Sequence, residues 1–336
     1  MMGKTEPRIY TPPLRELTEE TSLGFACIEY ATKVLKKDLY PWQRWALIHE
    51  LEIIGELGGN WHFRFRVILN LISRQNGKTV LSEVIASFFL NVLCVDSVFG
   101  TSLSLDKAEE VWEAVVLDQE TIPELSEELD RVRRTNGSKK LVLTGLRQYK
   151  VGAPTRRAGR GDSNDLVMLD EVREQRDWET WSASVASTNA KPNGLVVCFS
   201  NAGDPDSVVL RQLRSQAIAH IEARETSEDF GGDVDASTLG LFEWSAEDGA
   251  ATDDLEQLAQ ANPAMGYGYL TERALLANRQ TFPENKFRAE CMCQQVETIL
   301  PEPFPDGAWA AGLDMKSSIA PESELFFGLD LDKDRK

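Results

Sequence analysis

Two rhythms of apolar residues run along this chain. Continuous apolar runs, such as Val67-Ile68-Leu69-Asn70-Leu71-Ile72 and Gly194-Leu195-Val196-Val197-Cys198-Phe199, read as strands buried on both faces. Between them, apolar residues recur every three or four positions, as in Phe25, Ile28, Ala31, Val34 and Leu35, the spacing of an amphipathic helix. This pattern predicts strands over 64–72, 97–102, 165–170, 194–200 and 238–244. It predicts helices over 23–39, from Pro41 to about Leu57, where Gly58-Gly59-Asn60 ends the second, and over 78–93, 105–119 (capped by Ser104), from Trp178, and over 206–224. Residues 1–22 read as an irregular proline-containing arm, and 131–150 as a hairpin turning at Asn136-Gly137. An acidic surface loop is expected over 225–238, and the remainder to about Gln295 is helical, broken at Asn262-Pro263 and Phe282-Pro283. Strands alternating with helices imply an α/β fold, a mainly parallel sheet covered on both faces.

Composition narrows the class without naming it. At 336 residues with 42% apolar and 27% charged, the chain can form one large or two modest globular domains. Its apolar stretches are too short to span a bilayer and the first residues lack the apolar core of a signal peptide, so a cytoplasmic protein without membrane contact is expected. Five cysteines, mostly in apolar runs, read as reduced core thiols, and three dispersed histidines make structural zinc improbable. Net charge is −18, which argues against a surface that coats nucleic acid everywhere. Against that background, residues 131–160 carry ten basic side chains and no acidic one. Such a block is a candidate for phosphate contacts; a solvated hairpin with a lysine-guarded edge is the other reading.

The chemistry concentrates at Ser73-Arg74-Gln75-Asn76-Gly77-Lys78-Thr79, between a predicted strand and a predicted helix. There, backbone N–H groups and a helix N-terminus can face a triphosphate, with Lys78 supplying a mobile charge and Thr79 a hydroxyl for Mg²⁺. The full G-x-x-x-x-G-K-[ST] pattern wants a glycine where Ile72 stands, and a bare Gly-Lys-Thr also occurs in ordinary turns. A second signal is the run Leu166-Val167-Met168-Leu169-Asp170-Glu171, an apolar strand ending in two acids. In P-loop enzymes the first acid at such an end holds Mg²⁺ and the next orients or deprotonates the attacking water. The two signals in this order point to an ATPase.

With Ser200-Asn201-Ala202 added at the end of the 194–200 strand, the chain from Pro41 onward resembles the large terminase subunit of tailed bacteriophages. That family lacks the first loop glycine and carries an arginine before Gly-Lys-Thr, as Arg74 stands here. The resemblance implies a P-loop NTPase of the ASCE type with a small helical lid, using ATP and Mg²⁺. Ser73, Gln75, Asn76 and Gly77 would belong to the phosphate loop, and Lys78 and Thr79 would contact phosphate and metal. Arg74 would sense the γ-phosphate, Asp170 would hold Mg²⁺, and Glu171 would be the catalytic glutamate. Gln43 resembles the adenine-reading glutamine, and Ser200-Asn201-Ala202 the coupling motif. Arg160 resembles an arginine finger acting on a neighbouring subunit, with Arg156 and Arg157 as alternatives.

The implied division is an arm and helix over 1–40, an ATPase core over 41–244, a lid over 245–300, and a linker with the first strand of a truncated RNase H-like nuclease domain over 301–336. Asp330 matches a nuclease metal ligand of that strand, with too few companions for cleavage on its own. The resemblance also implies a ring on the procapsid in the host cytoplasm. Its partners would be the portal protein, a small terminase subunit, and double-stranded DNA held by backbone contacts. A P-loop helicase, or a module that binds nucleotide without turnover, are the other classes compatible with the motifs.

Overall fold

The computed structural model describes residues 1–102, 105–135, 137–152, 163–226 and 237–296. A short strand β1 (Ile9–Tyr10) is followed by helices α1 (Gly24–Lys33) and α2 (Pro41–Glu50), a small hairpin of β2 (Ile53–Gly55) and β3 (Trp61–Phe63), and the buried strand β4 (Val67–Ile72). Helix α3 (Lys78–Asn91) leads into β5 (Ser97–Ser102), α4 (Leu105–Thr121) and α5 (Pro123–Ser126). A meander follows, of β6 (Leu129–Arg133), β7 (Lys140–Leu143) and β8 (Gln148–Val151). Then come β9 (Leu166–Asp170), α6 (Trp178–Ala186), β10 (Leu195–Ser200), α7 (Val208–Thr226) and β11 (Leu239–Trp244). The last described helices are α8 (Leu255–Ala261), α9 (Glu272–Thr281) and α10 (Glu284–Cys291).

The main sheet has nine strands in the order β1-β11-β4-β10-β9-β5-β8-β7-β6. From β11 across to β8 every pairing is parallel, while β1, β7 and β6 are antiparallel additions at the edges. After β4 the chain re-enters the sheet at β5, leaving between them the room that β9 and β10 later fill. Alternation sorts the strand side chains cleanly. Ile68, Ile72, Met168, Val197 and Phe199 pack with helices α1 to α4, and Leu69, Leu71, Val167, Leu169 and Cys198 pack with α6 and α7. Each fully buried aliphatic side chain contributes roughly 1.5–3 kcal/mol, so both faces commit the register. Ala246, Leu258, Met265, Leu275 and Phe287 form a third, separate core among α8, α9 and α10.

Three expectations are corrected. The arm over 1–22 is not irregular throughout: β1 pairs with β11, Arg8 reaches Ser245 and Glu243, and the Gly3 and Lys4 amides donate to the Met265 and Ala259 carbonyls. It straps the sheet edge to the α8 region. The helix beginning at Pro41 ends at Glu50 rather than Leu57, and Gly58-Gly59-Asn60 lie in the connection between β2 and β3. Cross-strand pairing of Ile53 with Phe63 holds that hairpin, and a buried ion pair of 2.6 Å joins Glu52 to Arg64 beside it. The helix from 23 also stops early, at Lys33, before Lys36 takes a positive φ of 54°. The 131–150 segment forms β6 and β7 as expected and continues into a third strand, β8, alongside β5. Ser104, Asn136 and residues 227–236 of the acidic loop lie outside the described residues.

One core feature has a pH consequence. Glu50 is fully buried at the end of α2 beside Asn70 of β4, and neither side chain has a hydrogen-bond partner of ordinary geometry. Burial pushes the Glu50 carboxyl from 4.5 to about 8, against a small opposing effect of Asn70. The folded chain thus keeps a proton that the unfolded chain releases near pH 4.5. Glu50's contribution to stability is whole below that value and is lost as pH rises toward 8. Glu50→Gln should therefore stabilise the protein at pH 8 relative to wild type, by on the order of a few kcal/mol, with the difference shrinking at pH 5. Chemical denaturation of both proteins at the two pH values checks this; a gap that does not grow with pH contradicts it.

Candidate nucleotide site

The sheet delivers three strand ends to one edge, β4, β10 and β9 in that order, and the candidate residues stand on them. Past Ile72 the loop turns through left-handed backbone at Gln75 (φ 62°) and Gly77 (φ 91°). The positive φ favours glycine at 77, and a Cβ there would also crowd Gln43 Nε2 at 3.0 Å. Helix α3 then begins with no side-chain cap and no acid in its first turn, which leaves its amides and the positive end of its dipole for an anion. The Lys78 ammonium folds back over the loop, donating to the Ile72 carbonyl at 3.2 Å and Asn201 Oδ1 at 3.4 Å.

Lys78, Thr79 and Asp170 line one cleft, together with Ser82, Gly100 and Lys107. Burial lowers the Lys78 pKa, while the carboxylates of Asp170 and Glu171 favour its charged form. Burial raises Asp170 in turn, opposed by Lys78. Lys78, Asp170 and Glu171 therefore share one electrostatic field. Asp170 Oδ1 accepts from the Glu171 amide at 3.0 Å. Glu171 itself has left-handed backbone (φ 56°, ψ 48°), a strained conformation for a non-glycine residue, and its carboxylate pairs with Arg173 Nε at 3.0 Å. Among the described residues no cluster of three or more His, Cys, Asp or Glu could cage a metal. One carboxylate and one hydroxyl in a shared cleft nevertheless suit Mg²⁺, which keeps several waters and takes its remaining oxygens from phosphates.

Other groups fix the loop from behind. Trp42 Nε1 donates to the Asn76 carbonyl, and Gln43 Nε2 to that of Gly77, at 3.1 and 2.9 Å. Gln43 Oε1 also accepts from the Tyr40 amide at 2.8 Å, so this buried glutamine braces the loop, with one N–H and one lone pair still uncommitted by these contacts. Asn76 donates to the Ser73 and Arg74 carbonyls and to Asn262 Oδ1, and accepts from the Ala264 amide. Ser73 is buried with an unpartnered hydroxyl.

The Ser200-Asn201-Ala202 turn is woven into the same site. Ser200 Oγ accepts from the Arg173 amide at 3.1 Å, Asn201 Nδ2 donates to Glu290 Oε2 at 2.8 Å, and Ala202 is buried below. Arg74 is paired with Glu290 at 2.7 Å. Arg173 and Glu290 were not among the expected site residues. The basic block is mostly not a free surface where it is described: Arg134 pairs with Glu120, Lys139 with Glu109 and Glu113, and Arg147 with Glu128. Arg131 and Arg133 of β6 remain exposed. Arg156, Arg157, Arg160 and Asp330 lie outside the described residues.

No family model matches the sequence, and no curated protein sequence matches it. Among solved structures, the fold is similar to the crystal structure of the HK97 bacteriophage large terminase at a TM-score of 0.65. The two share 20% identity over 82% of this chain and 55% of that one. The ATPase domain of the large terminase of Thermus phage P74-26 is similar at a TM-score of 0.49, with 16% identity over 69% of this chain and 89% of that chain. This chain thus spans about half the length of the HK97 protein. The HK97 likeness shows the fold: a mainly parallel α/β sheet flanked by helices, shared with a phage large terminase.

Asn76→Ala would leave the Ala264 amide and Asn262 Oδ1 without their partners in a buried setting. Each orphaned group costs roughly 1–3 kcal/mol, so a loss of about 2–4 kcal/mol in urea denaturation is expected. A loss below about 0.5 kcal/mol, the range of an ordinary surface change, would contradict the loop's dependence on this side chain.

Proposed function

We propose that the chain is the ATP-hydrolysing part of a DNA-packaging motor of the large terminase kind. The observation that carries this reading is the convergence of Lys78, Thr79 and Asp170 on one cleft, with Glu171 electrostatically linked to Lys78. The phosphate loop from Ser73 to Thr79 cradles the triphosphate, Lys78 neutralises phosphate oxygens, and Arg74 reaches the γ-phosphate. Thr79 and Asp170 would hold Mg²⁺, which supplies Lewis-acid polarisation of the phosphates when bound. Glu171 orients and deprotonates the attacking water, and its ion pair with Arg173 opens when it does so. Asn201 lies between Lys78 and Glu290, where a change at the phosphates can be relayed toward α10. Gln43 reads adenine with its uncommitted N–H and lone pair.

The same reading divides the chain into an arm over 1–40, a core over 41–244, a lid over 245–300 and a segment from 301 that begins a nuclease domain at Asp330. The separate core of α8 to α10 supports the lid. Arg160 acts in trans within a homo-oligomeric ring. The partners are double-stranded DNA, the portal protein and a small terminase subunit, met at the procapsid in the host cytoplasm.

Lys78→Ala should abolish both binding and hydrolysis of ATP. Glu171→Gln keeps shape and removes the base, so it should keep ATP binding and lower kcat by roughly 10²–10⁴-fold. Steady-state turnover alongside equilibrium nucleotide binding distinguishes the two, and wild-type turnover in Glu171→Gln would overturn the assignment.

A further inference from the structure

The cleft that holds Lys78, Thr79 and Asp170 does not end at Asp170. It continues over β5 and beneath α4, where Gly100, Thr101 and Lys107 line it. Strand register places Ser102 of β5 directly beside Asp170 of β9, so the two side chains stand on the same face of the sheet. Ser102 is 2% exposed, and among the described residues its hydroxyl has no hydrogen-bond partner. A buried hydroxyl left unpartnered is costly, and the binding of nucleotide at Lys78 gives this one no task.

Lys107 is equally out of place as a structural residue. It lies in the first turn of α4, where the positive end of the helix dipole disfavours a cation. Its side chain is 60% exposed, and its ammonium meets Glu110 at 3.1 Å in a surface pair of the kind that adds little stability. Its charge nevertheless reaches the site. Burial raises the Asp170 carboxyl, Lys78 is the main opposing charge, and Lys107 opposes the rise as well. Asp170 is thus flanked twice by an ammonium and a hydroxyl, Lys78 with Thr79 on the α3 side and Lys107 with Ser102 on the β5 side.

We propose that Ser102 and Lys107 form a second anion site, which holds the orthophosphate released by hydrolysis. The proposal rests on the nucleotide-site reading above. Hydrolysis joins a water oxygen to the γ-phosphorus and breaks that phosphorus's bond to ADP. It leaves ADP, orthophosphate and a proton that Glu171 takes first, and displacement in line drives the new phosphate away from ADP. The α3 side, with its loop amides, keeps the diphosphate. The β5 side offers an ammonium and a hydroxyl, which suits a small detached oxyanion. Ala108, Val111 and Met168 line the cleft behind them with apolar surface, so the ion stops beside Ser102 and Lys107 instead of passing inward.

Orthophosphate titrated into the chain saturated with Mg²⁺–ADP, followed by phosphorus NMR, reads this site without requiring turnover. Calorimetry with Mg²⁺–ADP alone reads the nucleotide site. Lys107→Met should weaken orthophosphate about tenfold and Ser102→Ala roughly three- to tenfold, while the Kd of Mg²⁺–ADP changes by less than about twofold in both. Glu110→Gln releases the Lys107 ammonium and should tighten orthophosphate roughly two- to threefold. Ser102→Ala also removes an unsatisfied buried group, so its Tm should not fall. A merely structural hydroxyl and lysine would shift Tm and leave orthophosphate alone. Unchanged orthophosphate binding in Lys107→Met, equal losses for orthophosphate and Mg²⁺–ADP, or no orthophosphate binding by the wild-type ADP complex overturns the proposal while the nucleotide reading stands. Failure of the wild-type chain to bind Mg²⁺–ADP overturns both. If Ser102→Ala does not fold, the opposite shifts expected of Lys107→Met and Glu110→Gln decide, and their absence overturns the proposal.

Discussion

Parallel pairing of β10 between β4 and β9 is the constraint on which the site depends. Register places Cys198 beside both Leu69 and Leu169, and Phe199 beside both Asn70 and Asp170, so three strands end together at one edge of the sheet. The loop after β4, the turn after β10 and the acids after β9 then have no choice but to face one another. A one-residue slip in β10 would turn Phe199 and Val197 to the opposite face and pull Asn201 away from Lys78. The apolar alternation that fills the two cores is thus also what aligns the polar ends.

The polar ends are in turn fixed to the helices beyond the sheet. Asn76 and Asn262 interlock the phosphate loop with the end of α8, and Asn262 also donates to the Cys291 carbonyl at the end of α10. Arg74 and Asn201 meet Glu290 from the other side. Asn76, Asn201, Asn262 and Glu290 are buried, where a satisfied hydrogen bond is directional and an unsatisfied one is costly. A displacement of α10 cannot leave the loop untouched. The site and helices α8 and α10 are joined through polar contacts that a purely apolar interface would not specify.

How much of this was legible in the sequence follows from the range of each interaction. The strands at 165–170 and 194–200 were readable because a strand buried on both faces needs no alternation and shows as an apolar run. Lys78, Thr79, Asp170 and Glu171 were readable because turn and strand-end chemistry is local. The end of α2 was not, since Leu51, Ile53 and Ile54 keep apolar spacing and only pairing with β3 decides against helix. Arg173 and Glu290 gave no signal, because their contact joins residues 117 apart in sequence. The partners of Arg134 and Lys139 in the basic block were hidden for the same reason. The block's lack of acids holds along the chain but not in space, where Glu109, Glu113 and Glu120 of α4 lie against the meander.

The strain at Glu171 has a place in this balance. A left-handed non-glycine residue costs on the order of 1 kcal/mol or more and persists only where its surroundings over-determine it. Here they do: the Glu171 amide donates to Asp170 Oδ1, its carboxylate is ion-paired with Arg173, and the Arg173 amide donates to Ser200 Oγ. A glycine would relieve the backbone but remove the carboxylate, and a β-branched residue would deepen the strain. The conformation follows from the need to turn a charged side chain sharply off the end of a buried strand, toward the groups gathered around Lys78. Stability is given up at this residue and at Ser73, both at strand ends that form the site, while the strand interiors beneath them are mostly apolar, Asn70 of β4 being an exception. That segregation lets one sheet be rigid in its middle and chemically costly at its edge.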